Sequence, residues 1–309
     1  MNKNRTALFQ DLIAATRMGL DMKHAAGVVS DDDARIAGTL LSALAAGRYH
    51  FIAETWHNNH DEHADLVTYP AELLLRAYTA EGTAIKPLEP ITILSQSGLQ
   101  SNFDQALILA GLDQALAQGL NPVSINTSAR NVSNASFWYD VCDMLCDDFT
   151  PGEIHGQLTL EVTEDDLADS PCRDILLAMK RQFGCTFAID DFYHDYVESN
   201  GHHGIGSRDW LRLDNLRDIV DYVKIDGVTV EAALDQRNPF NLGDLVDRIK
   251  HIVPNVKIVL ERVKNADQAH AFNTVSDAVQ GLYLTHDRDA FRRELFIAAR
   301  NFPPRPENL

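Results

Sequence analysis

Acidic and amide side chains close, or interrupt, one short apolar run after another. Glu72 breaks into Ala71-Glu72-Leu73-Leu74-Leu75-Arg76, Asn126 follows Val123-Ser124-Ile125, and Glu161 follows Leu158-Thr159-Leu160. Asp190 and Asp191 end Phe187-Ala188-Ile189, Asp226 comes after Val223-Lys224-Ile225, and Glu261 after Ile258-Val259-Leu260. One carboxylate at the end of an apolar strand is an ordinary start to a surface loop. The same placement on strand after strand needs another reason. If the strand ends converge, the carboxylates line one cavity and repel one another. Divalent cations relieve that repulsion, and a ligand set made only of oxygen favours Mg²⁺ or Mn²⁺. The adjacent pair Asp190-Asp191 suits two ions ~3.5–4 Å apart, the arrangement used in phosphate-ester hydrolysis. The residues alone therefore point to a metal-dependent hydrolase or lyase.

Other chemistry-bearing groups have plainer readings. His57-x-x-His60-x-x-His63 has ligand types that bind Zn²⁺, but it lies in an acidic, turn-like connection and reads as a solvated loop. His202-His203, between glycines, reads as a loop tip. Four cysteines without a CxxC pair are too few for a disulfide scaffold; Cys142 and Cys146, four apart on a helical stretch, read as core packing. Taken singly, Glu164 and Asp226 also fit helix-start acids. Arg76 fits a structural ion pair, and Lys224 a lysine reaching from an apolar strand to solvent.

The elements that must position these groups alternate in type. Strand patterns cover Tyr49–Trp56, Leu66–Ala77, Pro122–Asn126, Gln157–Val162, Thr186–Asp190, Asp221–Ile225, Val256–Glu261 and Ala278–Leu284. Amphipathic stretches such as Asn102–Gln118, Cys172–Phe183, Leu242–Ile252 and Ala266–Val275 separate most of them. Eight strands alternating with helices predict parallel βα units, and closing eight gives a (β/α)8 barrel of the TIM type, whose sites lie at the carboxyl ends of the strands. His57–Asp65 is too short for a parallel crossover, so the first two strands should pair antiparallel. Residues 1–30 read as an N-terminal helical extension and residues 31–309 as the barrel domain.

Composition bounds the function. The formal charge of −18 argues against a DNA or RNA binder, which presents a basic face to phosphates. A small phosphorylated ligand stays compatible, because bound metals supply positive charge locally. No apolar run approaches the ~18 residues of a membrane span, and no signal-type segment follows Met1. The expectation is a cytoplasmic protein with no membrane span.

In order along the chain, the same motifs resemble those of the EAL phosphodiesterases. Glu72-Leu73-Leu74-Leu75-Arg76 is similar to the signature that names the family. Ser124-Ile125-Asn126-Thr127-Ser128 resembles its N-x-S strand, and Leu160-Glu161-Val162-Thr163-Glu164 its E-x-T-E strand. Ile189-Asp190-Asp191-Phe192, Val223-Lys224-Ile225-Asp226 and Val279-Gln280-Gly281-Leu282-Tyr283 resemble its D-D-F, K-I-D and Q-G-Y motifs. Ile85-Lys86-Pro87 through Ser97-Gly98-Leu99 is similar to the stretch after the signature, and the likeness runs from about Ala34 to Arg292. Each motif alone is weak; their order and spacing carry the resemblance.

The resemblance implies an EAL-type barrel that hydrolyses cyclic di-GMP to linear pGpG with two ions, Mg²⁺ or Mn²⁺. By the same carry-over Glu72, Asn126, Glu161 and Asp190 would hold one ion, and Asp190, Asp191 and Glu261 the second. Lys224 would position the attacking water or the phosphate, and Glu261 would be the base. Arg76 would pair a phosphate oxygen. Gln280, Asp226 and Glu54 fall on the substrate side, Glu164 would brace the loop after Asp191, and a homodimer contact is part of the expectation.

Four departures qualify the match. Leu73 stands for the signature alanine, and the loop after Asp191 is lengthened through Gly201–Gly206. The family's E-G-V-E reads Glu261-Arg262-Val263-Lys264, and Glu54 stands for a first-strand glutamine. These changes keep a second reading open: a catalytically weak or inactive module that receives cyclic di-GMP or binds a partner protein.

Overall fold

The computed structural model describes residues 3–59, 68–120, 122–163, 171–192, 206–235, 241–264 and 266–281. Two helices lead, α1 (Lys3–Ala25) and α2 (Asp31–Ala45). Ser30 caps α2 by accepting from the Asp33 amide, and Asp31, Asp32 and Asp33 complement the helix dipole. The strands are β1 (Tyr49–Thr55), β2 (His57–Asn58), β3 (Ala71–Tyr78), β4 (Ala84–Ile85), β5 (Val123–Thr127), β6 (Leu158–Val162), β7 (Thr186–Phe192), β8 (Tyr222–Ile225), β9 (Lys257–Leu260) and β10 (Ala278–Val279). Between them run α3 (Leu88–Gln96), α4 (Gln100–Gln118), α5 (Ala135–Asp148), α6 (Pro151–Ile154), α7 (Arg173–Phe183), α8 (Gly206–Leu216), α9 (Gly227–Leu234), α10 (Leu242–Ile252) and α11 (Ala266–Ala271).

The sheet order is β1-β3-β5-β6-β7-β8-β9-β10-β2, with β4 on the outer part of β3. From β3 to β10 the neighbours are parallel, whereas β1 pairs β3 antiparallel as the short connection requires. β1 and β2 are consecutive, separated only by Trp56, and they pair with opposite ends of the sheet. One broken strand thus joins both edges, which gives the barrel its antiparallel member and leaves no long free edge among the described residues.

Period-two alternation sorts every strand into an outer and an inner face. Phe187 and Ile189, Val223 and Ile225, Ile258 and Leu260 pack in the large core beneath the helices. Their neighbours Ala188, Tyr222 and Val259 join Trp56, Tyr69 and Ala278 in a separate inner cluster. Two residues further along, the inner face carries Asp190, Lys224, Glu261 and Gln280. The functional layer is the second storey of a barrel interior whose first storey is an aromatic and small-residue plug.

Some expectations need adjustment. β3 starts at Ala71, while Leu66 and Val67 lie outside the described residues. Glu72 therefore stands near the start of β3, and the rest of that strand continues beyond the ring to pair β4. His57, read as part of a solvated loop, is half-buried in β2 opposite Val279, because the ring needs that residue to close; His60, His63, His202 and His203 lie outside the described residues. Cys142 is half-buried on α5, but Cys146 is exposed, so it does not pack in the core. α1 lies against the barrel: Phe9 stacks on Tyr49 at 5.2 Å, and buried Arg5 pairs Asp113 at 2.9 Å. Among the described residues no helix is long and apolar enough to cross a membrane.

Candidate active site

Lys224 organises the barrel mouth. Its side chain is 1% exposed, and its Nζ lies 2.5 Å from Glu161, 2.7 Å from Asp190, 2.8 Å from Glu261 and 3.0 Å from Glu72. The plainer of the two readings of Lys224, a lysine reaching solvent, does not hold: β8 is buried throughout and turns its inner face to carboxylates. Below it the Trp56 ring centroid is 5.6 Å from Nζ. Burial pulls the Lys224 pKa down, but Asp190, Glu161, Glu261 and Glu72 together override it and hold the ammonium well above its ordinary range.

One ammonium does not neutralise this ring. Burial and neighbouring carboxylates raise Glu161 and Glu261 well above the usual carboxylate range, with Lys224 opposing in both. Glu54 stands directly opposite Glu72 in the β1–β3 register and is raised by burial and by that like charge. Glu72 accepts from Asn126 Nδ2 at 2.8 Å and from Gln280 Nε2 at 2.7 Å. That leaves Asn126 Oδ1 and Glu161 Oε1 buried with no hydrogen-bond partner. Orphaned oxygens in an over-acidic, all-oxygen ring fit a hard divalent cation, which would use both.

A second group adjoins the ring. Ligand oxygens of Asp191, Asp226 and Glu261 lie within 4.8 Å of one another. Consecutive strand residues normally point to opposite faces, yet Asp190 and Asp191 both serve the mouth. A β-bulge makes this possible: Ile189 to Phe192 spans three steps on β7 against two on β8, and Asp191 has φ of +45°. Asp226, read as a ligand-orienting acid, sits with this group and also caps α9 by accepting from the Val228 amide at 2.7 Å.

Of the remaining sequence candidates, Arg76 is apart from the ring. It is half-buried on β3 and donates to the Leu75 carbonyl at 2.9 Å. Glu164 lies outside the described residues, as does the loop at 193–205.

Two supports went unseen in the sequence. Arg212 on α8, 4% exposed, donates to the Asp190 carbonyl at 2.7 Å and holds the bulge. Its partner is a backbone atom, so no residue pattern announces it. Asp104 on α4, 5% exposed, accepts from the Ser128 amide at 2.8 Å and Asn131 Nδ2 at 2.7 Å, fixing the chain after Asn126. A charge at a buried helical phase, beside Phe103 and Leu107, was the available signal. Gly281 seats the loop that follows Glu261: a Cβ there would come 2.3 Å from the Val263 carbonyl oxygen.

A parallel barrel with an antiparallel first strand and a carboxylate-lysine ring at its mouth defines the class: a (β/α)8-type barrel with an acidic site at the carboxyl ends of its strands. The EAL domain model matches residues 62–287, more than half of the 309-residue chain, and the chain belongs to that family. Solved structures agree on the fold. The FimX EAL domain from Pseudomonas aeruginosa, bound to c-di-GMP, is 19% identical with a TM-score of 0.62, covering 81% of this chain and 95% of that one. The PaMucR phosphodiesterase in its c-di-GMP complex is 19% identical with a TM-score of 0.58, over 81% and 96%. An EAL domain protein from Listeria monocytogenes EGD-e is 19% identical with a TM-score of 0.59, over 84% and 98%. No curated protein matches the sequence.

Proposed function

We propose that the protein hydrolyses one phosphodiester of cyclic di-GMP to linear pGpG, with two divalent ions, Mg²⁺ or Mn²⁺, held at the barrel mouth. The observation that carries this reading is the ring of four carboxylates around buried Lys224, with Asp191 and Asp226 adjoining at Glu261. Family membership and the cyclic di-GMP complexes among the similar structures support the choice of ligand.

Glu72, Asn126, Glu161 and Asp190 would hold one ion, and Asp190, Asp191 and Glu261 the other, with Asp226 beside them. Ions bound there would acidify water and offset charge developing on the phosphate. Water adds across one P–O bond: its oxygen joins phosphorus, the bond to the 3′ oxygen breaks, and that oxygen takes a proton. Glu261 would accept the water's proton. Lys224 would turn from its carboxylates toward the attacked phosphate. Arg76 lies outside the ring, where its guanidinium would pair a non-bridging oxygen. Gln280, which donates to Glu72, and Glu54, opposite Glu72, would border the substrate. Glu164 would brace the loop after Asp191. We place this activity in the cytoplasm and assign it a homodimer.

A receptor that binds cyclic di-GMP without hydrolysis is the rival reading, and Arg262 beside Asp226 favours it. The Glu72→Ala variant separates the two. We expect it to keep cyclic di-GMP binding by calorimetry and to lose hydrolysis by at least about 100-fold, since residues that only support metal ligands already cost about 10–100-fold. Unchanged hydrolysis in that variant would refute the site assignment.

A further inference from the structure

The chain after Glu261 carries an arginine where the backbone suits a glycine. Arg262 has φ of +53°, a left-handed conformation that disfavours any residue with a Cβ. Its stem lies flat on Gly227: a Cβ at that glycine would fall 2.5 Å from both Cβ and Cδ of Arg262. This posture brings Arg262 Nη2 to 3.5 Å from Asp226 Oδ2, an oxygen of a side chain that is 0% exposed, while the arginine itself is 57% exposed. Lys264, the other basic residue of the segment, is committed elsewhere, to Glu231 at 2.5 Å. The three carboxylates Asp191, Asp226 and Glu261 therefore stand between two fixed cations, Lys224 on Glu261 at 2.8 Å and Arg262 on Asp226.

We infer that Arg262 is a positioning residue that sets the divalent-cation affinity of the Asp191–Asp226–Glu261 group, acting as a built-in counter-ion that keeps it low. A strained arginine packed on a glycine that admits no side chain is an arrangement with one evident product, a guanidinium at the edge of that acidic group. A divalent ion entering it meets this charge as well as the carboxylates and Lys224, whereas at the ring of Glu72, Asn126, Glu161 and Asp190 the one cation facing the side chains among the described residues is Lys224, Arg212 reaching the backbone carbonyl of Asp190. The two cation sites should then differ in strength, so that the weaker one fills only when the ion is plentiful or when a phosphate draws the guanidinium away. The inference rests on the proposed metal dependence of this mouth.

Mn²⁺ binding to the full chain, read directly from the electron paramagnetic resonance of the free ion and with no nucleotide present, tests it apart from hydrolysis. Wild type should bind in two classes, one tight and one weak. Arg262→Gly should tighten the weak class by about tenfold or more, the scale of removing one like charge a few ångströms away at a partly screened site. Arg262→Lys should stay near wild type, because the charge remains. Gly227→Ala should move in the direction of Arg262→Gly by lifting the stem. Glycine relieves the left-handed backbone, so Arg262→Gly is expected to melt no lower than wild type. Unchanged or weaker Mn²⁺ binding in Arg262→Gly would overturn the inference even if the enzyme hydrolyses cyclic di-GMP. Tightening without hydrolysis in any variant would uphold it and sink the enzymatic reading instead.

Discussion

Lys224 offers three N–H donors to four carboxylates, so its ring carries more negative charge than one ammonium can satisfy. The excess has a consequence for stability without metal. Glu161 and Glu261 keep their protons to higher pH in the folded chain than in the unfolded one. The folded state therefore binds more protons, and its stability falls as pH rises through the range where the unfolded carboxyls are already ionised. Each unit of such a shift is worth about 1.4 kcal/mol. In EDTA, Glu161→Gln, which mimics the protonated acid, should gain in melting temperature over wild type as pH goes from about 5 to about 8. Melting curves with a constant or shrinking difference would contradict this. Saturating Mn²⁺ should reverse the order at neutral pH, because the variant lacks a ligand. Most of these residues were legible individually, since each follows an apolar run. Their convergence on Lys224 was not, because nothing in Val-Lys-Ile-Asp says that the lysine points inward.

Elements place the acids through two devices. The alternation of β7 to β10 brings one functional residue per strand to the inner face, two positions past a plug residue. The bulge in β7 adds a second acid from the same strand, at Asp191 with φ of +45°. Arg212 from α8 fastens that bulge through the Asp190 carbonyl. Arg212→Gln should destabilise the fold by about 1.5–3 kcal/mol, the worth of a buried hydrogen bond to a charged group. It should also weaken Mn²⁺ binding, since Asp190 and Asp191 lose their fixed aim. Denaturant unfolding and Mn²⁺ titration of one preparation check both; a destabilised variant with wild-type Mn²⁺ affinity would show that the arginine serves only the fold. Strand positions were readable from β-branched apolar runs. The bulge was not, because its cause lies in a distant helix and in one backbone angle.

At the scale of the whole molecule, eight strand patterns and one connection too short to cross over were enough to indicate a barrel with an antiparallel member. The closure itself was out of reach. The sequence reads one strand ending at Trp56 with His57 in the loop after it, and only the pairing of His57 with Val279 reveals that the strand resumes and meets both edges. The ring it completes is what brings Glu72, from one side of the chain's path, to within 3.0 Å of Lys224, 152 positions away. The strong acidity of the chain and the concentration of acids at the mouth suit a ligand that arrives with phosphates but is met through cations. The most direct test of that account is chromatography of cyclic di-GMP incubated with the purified chain in Mg²⁺ or Mn²⁺, and again in EDTA. The account predicts pGpG with either metal and none in EDTA. Intact cyclic di-GMP at high protein concentration with both metals present would contradict it.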